Sequence, residues 1–228
     1  MCGRFSLHAN PEVIALAFKV GIVPDWKARY NITPSSQIII VREGVEAGRV
    51  AALCKWGLIP GWAKNPAIGN KLANARGETV DEKPSFRNAF KRSRCLIPAS
   101  GFYEWKSVAG RKQPYYMQPL GAPLFAIAGI TERWQGPDGT VETCAIITTG
   151  PNGVMSNIHD RMPVILAAED HDAWLDPRNQ SVAALKQLIK PCADTTMRAH
   201  AVSTRVNAPK NDDAGLIEPL DEGGLDLN

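Results

Sequence analysis

Apolar and polar positions along this 228-residue chain alternate in short bursts, with one helical stretch near the start. Val13, Ile14, Leu16, Ala17 and Val20 recur at helical spacing after Asn10-Pro11, an N-cap followed by a first-turn proline, and Gly21 is expected to close the helix. The runs 38–41 and Arg49–Trp56 flank a stretch from Gly44 to Gly48 and predict a hairpin. Further strand-like runs follow at 95–97, 102–105, 115–118, 124–130, 144–149, 163–166 and 199–202, separated by Gly, Pro and Asp clusters. Residues 86–91, 168–175 and 182–189 read as helices. The pattern is α+β: a mainly antiparallel, barrel-like sheet with a few flanking helices. No low-complexity linker or repeat divides the chain, so residues 1–218 are expected to form a single domain. Residues 219–228 read as an acidic, disordered tail.

Composition narrows the class. No run of about 18 apolar residues spans a membrane, and no basic-then-apolar segment at the N-terminus resembles a secretory signal. The cysteines Cys2, Cys54, Cys95, Cys144 and Cys192 are odd in number and scattered singly. That excludes a zinc signature and a disulfide framework and fits a reducing cytosol, with no metal and no cofactor expected. All 26 basic residues but only 17 of the 23 acids lie in 1–210, which therefore carries +9. Residues 83–94 hold five bases and no acid, a cluster that suits a polyanion or simply a solvated helix face.

Candidate chemistry begins at Cys2. Once Met1 is removed, Cys2 carries an α-amine and a thiol on adjacent carbons, with reference pKa values of about 8 and 8.5. Such a 1,2-aminothiol condenses with an aldehyde to an imine, and the thiol closes a thiazolidine ring. The plainer reading is a small second residue that merely permits Met1 removal. Glu104 lies between Tyr103 and Trp105. It is either a desolvated carboxylate with a raised pKa or, by strand alternation, a solvated one. His159 sits among Asn157, Asp160 and Arg161 before a strand, where a proton shuttle or an ordinary hydrogen-bonded histidine both fit. His8, His171 and His200 have ordinary explanations: a surface position, a helix face and a strand end.

Four segments then combine: Cys2-Gly3-Arg4-Phe5, Asn74-Ala75-Arg76-Gly77-Glu78, Gly101-Phe102-Tyr103-Glu104-Trp105 and Ile158-His159-Asp160-Arg161-Met162-Pro163. With Arg29-Tyr30-Asn31-Ile32-Thr33-Pro34 and Trp56-Gly57-Leu58-Ile59-Pro60, they resemble the SRAP family of SOS-response-associated peptidase-like proteins. The resemblance implies the SRAP fold and a sensor of abasic sites in single-stranded DNA that cross-links itself to them. Carried over by position, Cys2 is the nucleophile, and Asn74, Glu104 and His159 complete the active site. It also implies autocatalytic loss of Met1 through Cys2 and Glu104, a step that an ordinary methionine aminopeptidase could equally perform, and an open imine would permit β-elimination, a weak lyase side reaction. Gly3, Arg4, Arg76 and Trp62 are DNA-contact candidates, Trp62 either stacking on a base or packing in the core. Lys83 stands near a point where other members carry arginine. The expected partner is abasic single-stranded DNA, and the expected state is a monomer in a bacterial cytoplasm, near the nucleoid. Two other readings remain open: a peptidase acting on other proteins through Cys2 and His159, and a non-covalent DNA-binding module built on 83–94.

Overall fold

A computed structural model describes residues 2–44, 46, 48–108 and 110–220, and the elements named below belong to these. Their strands are β1 (Phe5–Leu7), β2 (Arg29–Ile32), β3 (Gln37–Glu43), β4 (Arg49–Trp56), β5 (Asn74–Arg76), β6 (Arg94–Ala99), β7 (Gly101–Val108), β8 (Arg111–Pro119), β9 (Phe125–Gly136), β10 (Gly139–Thr149), β11 (Met162–Pro163) and β12 (Met197–Ala201). The helices are α1 (Pro11–Phe18), α2 (Arg87–Arg92), α3 (Gly153–Ser156), α4 (His171–Leu175) and α5 (Val182–Gln187).

The barrel-like expectation holds for one of two sheets. β10, β4, β3, β6 and β9 pair in that order, and β9 pairs back onto β10, which closes the ring. Its pairings are antiparallel except for β10 with β4, and β5 adds to β10 in parallel as well. The second sheet is antiparallel and open, in the order β12-β8-β7-β1-β2. One face of it packs on the barrel, with Phe5 edge-on to Trp56 at 5.3 Å and Phe102 against Phe125 at 5.9 Å. Its other face carries Tyr103 and Tyr116 and is covered by Val202, Val206 and Leu216.

Several boundaries differ from the sequence reading. The Asn10 side chain does cap α1, accepting from Val13 N at 3.0 Å. The helix ends at Phe18, not Gly21, because Lys19 adopts the left-handed conformation (φ 56°) and its N–H closes onto Ala15 O. β1, β2 and β5 were not expected; three or four residues are too few to show a period, and partners distant in sequence make them strands. In the 163–166 run only Met162–Pro163 pairs with β10, while Ile165 forms an isolated bridge with Ile127. The last strand begins two residues earlier than expected, at Met197.

Two acids near the end of the expected domain are tied to its body. Asp212 accepts from the backbone of Tyr30 and Asn31 and pairs with Arg29, and Asp213 pairs with Arg205 at 2.7 Å. Leu220 N still reaches Ala201 O at 3.0 Å, while the rest of the expected tail, 221–228, lies outside the described residues.

Gly101 makes room for the Tyr116 ring of the neighbouring β8 within the second sheet. A Cβ there would collide with the Tyr116 ring and hydroxyl, which sits 2.7 Å from Ser6 Oγ. Gly101→Ala is expected to cost roughly 2–3 kcal/mol through overpacking, read as a fall of roughly 5–10 °C in a thermal melt.

Candidate active site

The second sheet and the barrel together build one polar site. Along β7, Tyr103 faces the cluster beneath the C-terminal segment, so Phe102 and Glu104 face the barrel. A carboxylate therefore occupies what is otherwise a core position, and Glu104 is 2% exposed. The solvated alternative is excluded. Burial pushes its carboxyl up to about 7, and the Asp160 carboxylate adds to the rise. Near neutrality Glu104 is thus poised to give or take a proton.

Cys2 is carried to this carboxylate by β1. Phe5 pairs with Phe102, and the ladder extends to Arg4, whose carbonyl accepts from Tyr103 N at 2.9 Å. Cys2 is fully buried, and burial pushes its thiol far up, with the Glu104 charge adding to the effect. A thiol in this setting stays protonated until a base removes its proton. Glu104 is the acid–base group whose charge it feels.

His159 follows α3, with its N–H bonded to Met155 O at 2.9 Å. Its Nε2 lies 3.7 Å from Glu104 Oε2, and its Nδ1 lies 3.0 Å from both Arg161 N and Asp160 Oδ1. Burial lowers its pKa below the usual histidine value, so the neutral ring dominates at pH 7.

Asn74 opens β5, in register with Ile146 of β10, while Thr148 of the same strand pairs with Pro163 of β11. Asn74 Oδ1 is buried with no donor among the described residues, an acceptor that a bound sugar hydroxyl or amine can satisfy. Arg161 ties the two loops together. It makes a forked pair with Glu78 (2.5 and 3.0 Å) and donates to Thr148 O at 2.7 Å. Lys186 of α5 then holds the Glu78 turn by donating to Glu78 O and Asp81.

Cys2, Glu104 and His159 are therefore in one site, and Asn74 lies on β5, whose partner β10 also pairs with β11 just after His159. Sequence reasoning quoted Glu78, Asp160 and Arg161 but gave them no role. The available signal was opposite charge at Glu78 and Arg161 in two otherwise reactive loops. Asn31 was missed in the same way: its side chain accepts from Arg4 Nη1 at 2.7 Å and donates to Asn211 O at 2.7 Å.

The DNA-contact candidates separate. Trp62 is 62% exposed, which removes the core-packing reading. Arg76 and Lys83 are also exposed, and Gly3 is half-buried beside Cys2. Arg4 turns toward the C-terminal segment, with one guanidinium nitrogen on Asn31 and on Val206 O, and it lies over the Trp105 ring at 5.8 Å. Among the other histidines, His8 stacks on Tyr30, His171 is buried against Phe18, and His200 bonds Ile217 O from β12. No group of histidines, cysteines and acids among the described residues could hold a metal, and no described helix is long and apolar enough to cross a membrane.

The family described as "SOS response associated peptidase (SRAP)" matches residues 1–209. The chain belongs to the SRAP family. Among its relatives, abasic site processing protein YoqW of Bacillus subtilis is 44% identical over 223 residues, covering 96% of this chain and 99% of that one. Abasic site processing protein HMCES of Pongo abelii is 30% identical over 273 residues, covering 97% of this chain and 77% of that one. A crystal structure of a Bacteroides thetaiotaomicron protein, 28% identical, superposes with a TM-score of 0.87 over 96% of this SRAP chain and 100% of that one.

Proposed function

We propose that this SRAP protein processes abasic sites in single-stranded DNA by forming a covalent thiazolidine through Cys2. The observation that carries the reading is a carboxylate titrating at about 7, buried with the second residue of the chain and 3.7 Å from an imidazole. The names of its relatives supply the substrate class.

Chemistry follows from the groups present. The abasic deoxyribose opens from its hemiacetal to the aldehyde, the Cys2 ammonium gives a proton to ionised Glu104, and the freed amine adds to the carbonyl carbon. Glu104 protonates the resulting hydroxyl, which leaves as water and gives the imine. Glu104, now ionised, takes the thiol proton as Sγ adds to the carbon of the protonated imine, whose π electrons move onto nitrogen and close the neutral ring. The balance is ammonium, thiol and aldehyde in, thiazolidine, one water and one proton out. Ring closure removes the imine before β-elimination, so strand cleavage is a side reaction. Asn74 holds the sugar or the amine, Trp62 offers a stacking face, and Arg76 and Lys83 neutralise phosphates. Gly3 lets the strand approach Cys2 closely, and Arg4 contributes through the part of its guanidinium that Asn31 and Val206 leave open.

Met1 must leave before the amine exists. Its removal by Cys2 and Glu104 belongs to this proposal, and Met1 lies outside the described residues. The expected outcome is an adduct that survives heat and detergent on a single-stranded oligonucleotide with one abasic site, and none on the undamaged oligonucleotide. Equal, dissociable binding to both on a denaturing gel would return the protein to a non-covalent DNA-binding module.

A further inference from the structure

We propose that Asp160 is the outer end of a proton relay, Glu104–His159–Asp160, that carries the proton released at the active site to solvent. The proposal rests on the cross-linking reading above. Side-chain exposure rises along the three groups from 3% at Glu104 to 25% at His159 and 88% at Asp160. The imidazole therefore bridges a buried carboxylate and a solvated one, and each of its nitrogens has a carboxylate facing it.

The two partners of Nδ1 make the relay work. In one state Nδ1 carries the proton and faces Asp160 Oδ1, 3.0 Å away, the Arg161 N–H bond being given up, and Nε2 is able to accept from protonated Glu104. Glu104 passes its proton to Nε2, and the Nδ1 proton leaves through Asp160 to water. The ring is then the other neutral tautomer, with Nε2–H facing an ionised Glu104 and Nδ1 accepting from Arg161 N at 3.0 Å. One proton has moved outward, and Glu104 is restored as the base that takes the proton of the Cys2 ammonium. The 3.7 Å between Glu104 and His159 closes by a small imidazole rotation as the site tightens around its substrate.

Charged groups on every side suit transit over storage. Burial, the N-terminal ammonium and Lys112 of β8 disfavour the imidazolium, Asp160 favours it, and the Arg161 guanidinium is occupied by Glu78. Asp160 acts through His159 and touches no substrate, so it is a positioning and relay residue.

Asp160→Asn keeps the shape of the side chain but removes the anion that receives the Nδ1 proton. In dilute buffer its single-turnover cross-linking rate is expected to fall roughly 10-fold at pH 7, with affinity for the DNA strand unchanged or tighter. Adding imidazole buffer restores the variant to within about 2-fold of wild type, as a diffusible carrier replaces the missing one. Wild type is insensitive to the added buffer, and Asp160→Glu retains most of the rate. A variant as fast as wild type in dilute buffer overturns the relay. So does a slow variant that buffer does not rescue, since that is the mark of a purely structural role. Failure of wild type itself to form an adduct overturns the cross-linking reading and the relay with it, a result distinct from either of these.

Discussion

Cys2→Ser is expected to convert the stable adduct into a transient imine. The serine variant keeps the α-amine after Met1 removal, so the first bond to the aldehyde still forms. The hydroxyl is a far poorer nucleophile than the thiol, and the ring does not close to a lasting product. Heat-stable adduct should fall on the order of 100-fold or more, borohydride should trap the imine, and cleavage of the abasic strand should rise as β-elimination competes. Cys2→Ala should behave alike, with no residual ring closure. Burial matters for reading the result: Cys2 is fully inaccessible, so the serine hydroxyl brings a desolvation cost of roughly 1–3 kcal/mol. A melt run beside the assay separates that cost from lost chemistry. An unaltered stable adduct with serine contradicts the thiazolidine.

Glu104→Gln is expected to show a second large effect with two signs. Cross-linking should slow by roughly 10²–10⁴, the range for losing a general acid–base group. Stability should move the other way. A carboxyl that titrates at about 7 in the fold, against 4.5 unperturbed, favours its protonated form when folded. Its contribution is therefore present in acid and is lost as pH rises from about 4.5 through about 7. By pH 8 the buried charge costs the wild type about 3 kcal/mol. Glutamine cannot ionise, so the variant should melt several degrees higher than wild type at pH 8 and nearly equally at pH 5. Equal melting at both pH values would mean that Glu104 is not desolvated. The wild-type rate should also depend on pH around 7, a dependence that the variant lacks.

Long-range pairing decided what could be read from the chain. The hairpin of β3 and β4 was legible because its turn and both arms are contiguous. The Asn10 cap was legible because its signal spans four residues. β5 was not, since Asn74 to Arg76 become a strand only by lying beside Ile146 to Thr148 of β10. The site shows the same division. Cys2, Asn74, Glu104 and His159 could be named from their segments, but the face of β7 that Glu104 occupies depends on which side the barrel covers. Alternation alone left two answers, and packing chose one. The forked Arg161–Glu78 pair joins residues far apart in sequence, and charge alone does not reveal a partner. The acids at 212 and 213 lie within the expected domain, but composition does not show that they close onto Arg29 and Arg205.

The most direct test is the intact mass of protein first verified to lack Met1, before and after incubation with a short single-stranded oligonucleotide carrying one abasic site. The account predicts a one-to-one species equal to protein plus oligonucleotide minus one water, stable to heat and unchanged by borohydride. Verified protein that keeps its mass, or forms only a species that appears under borohydride, contradicts it.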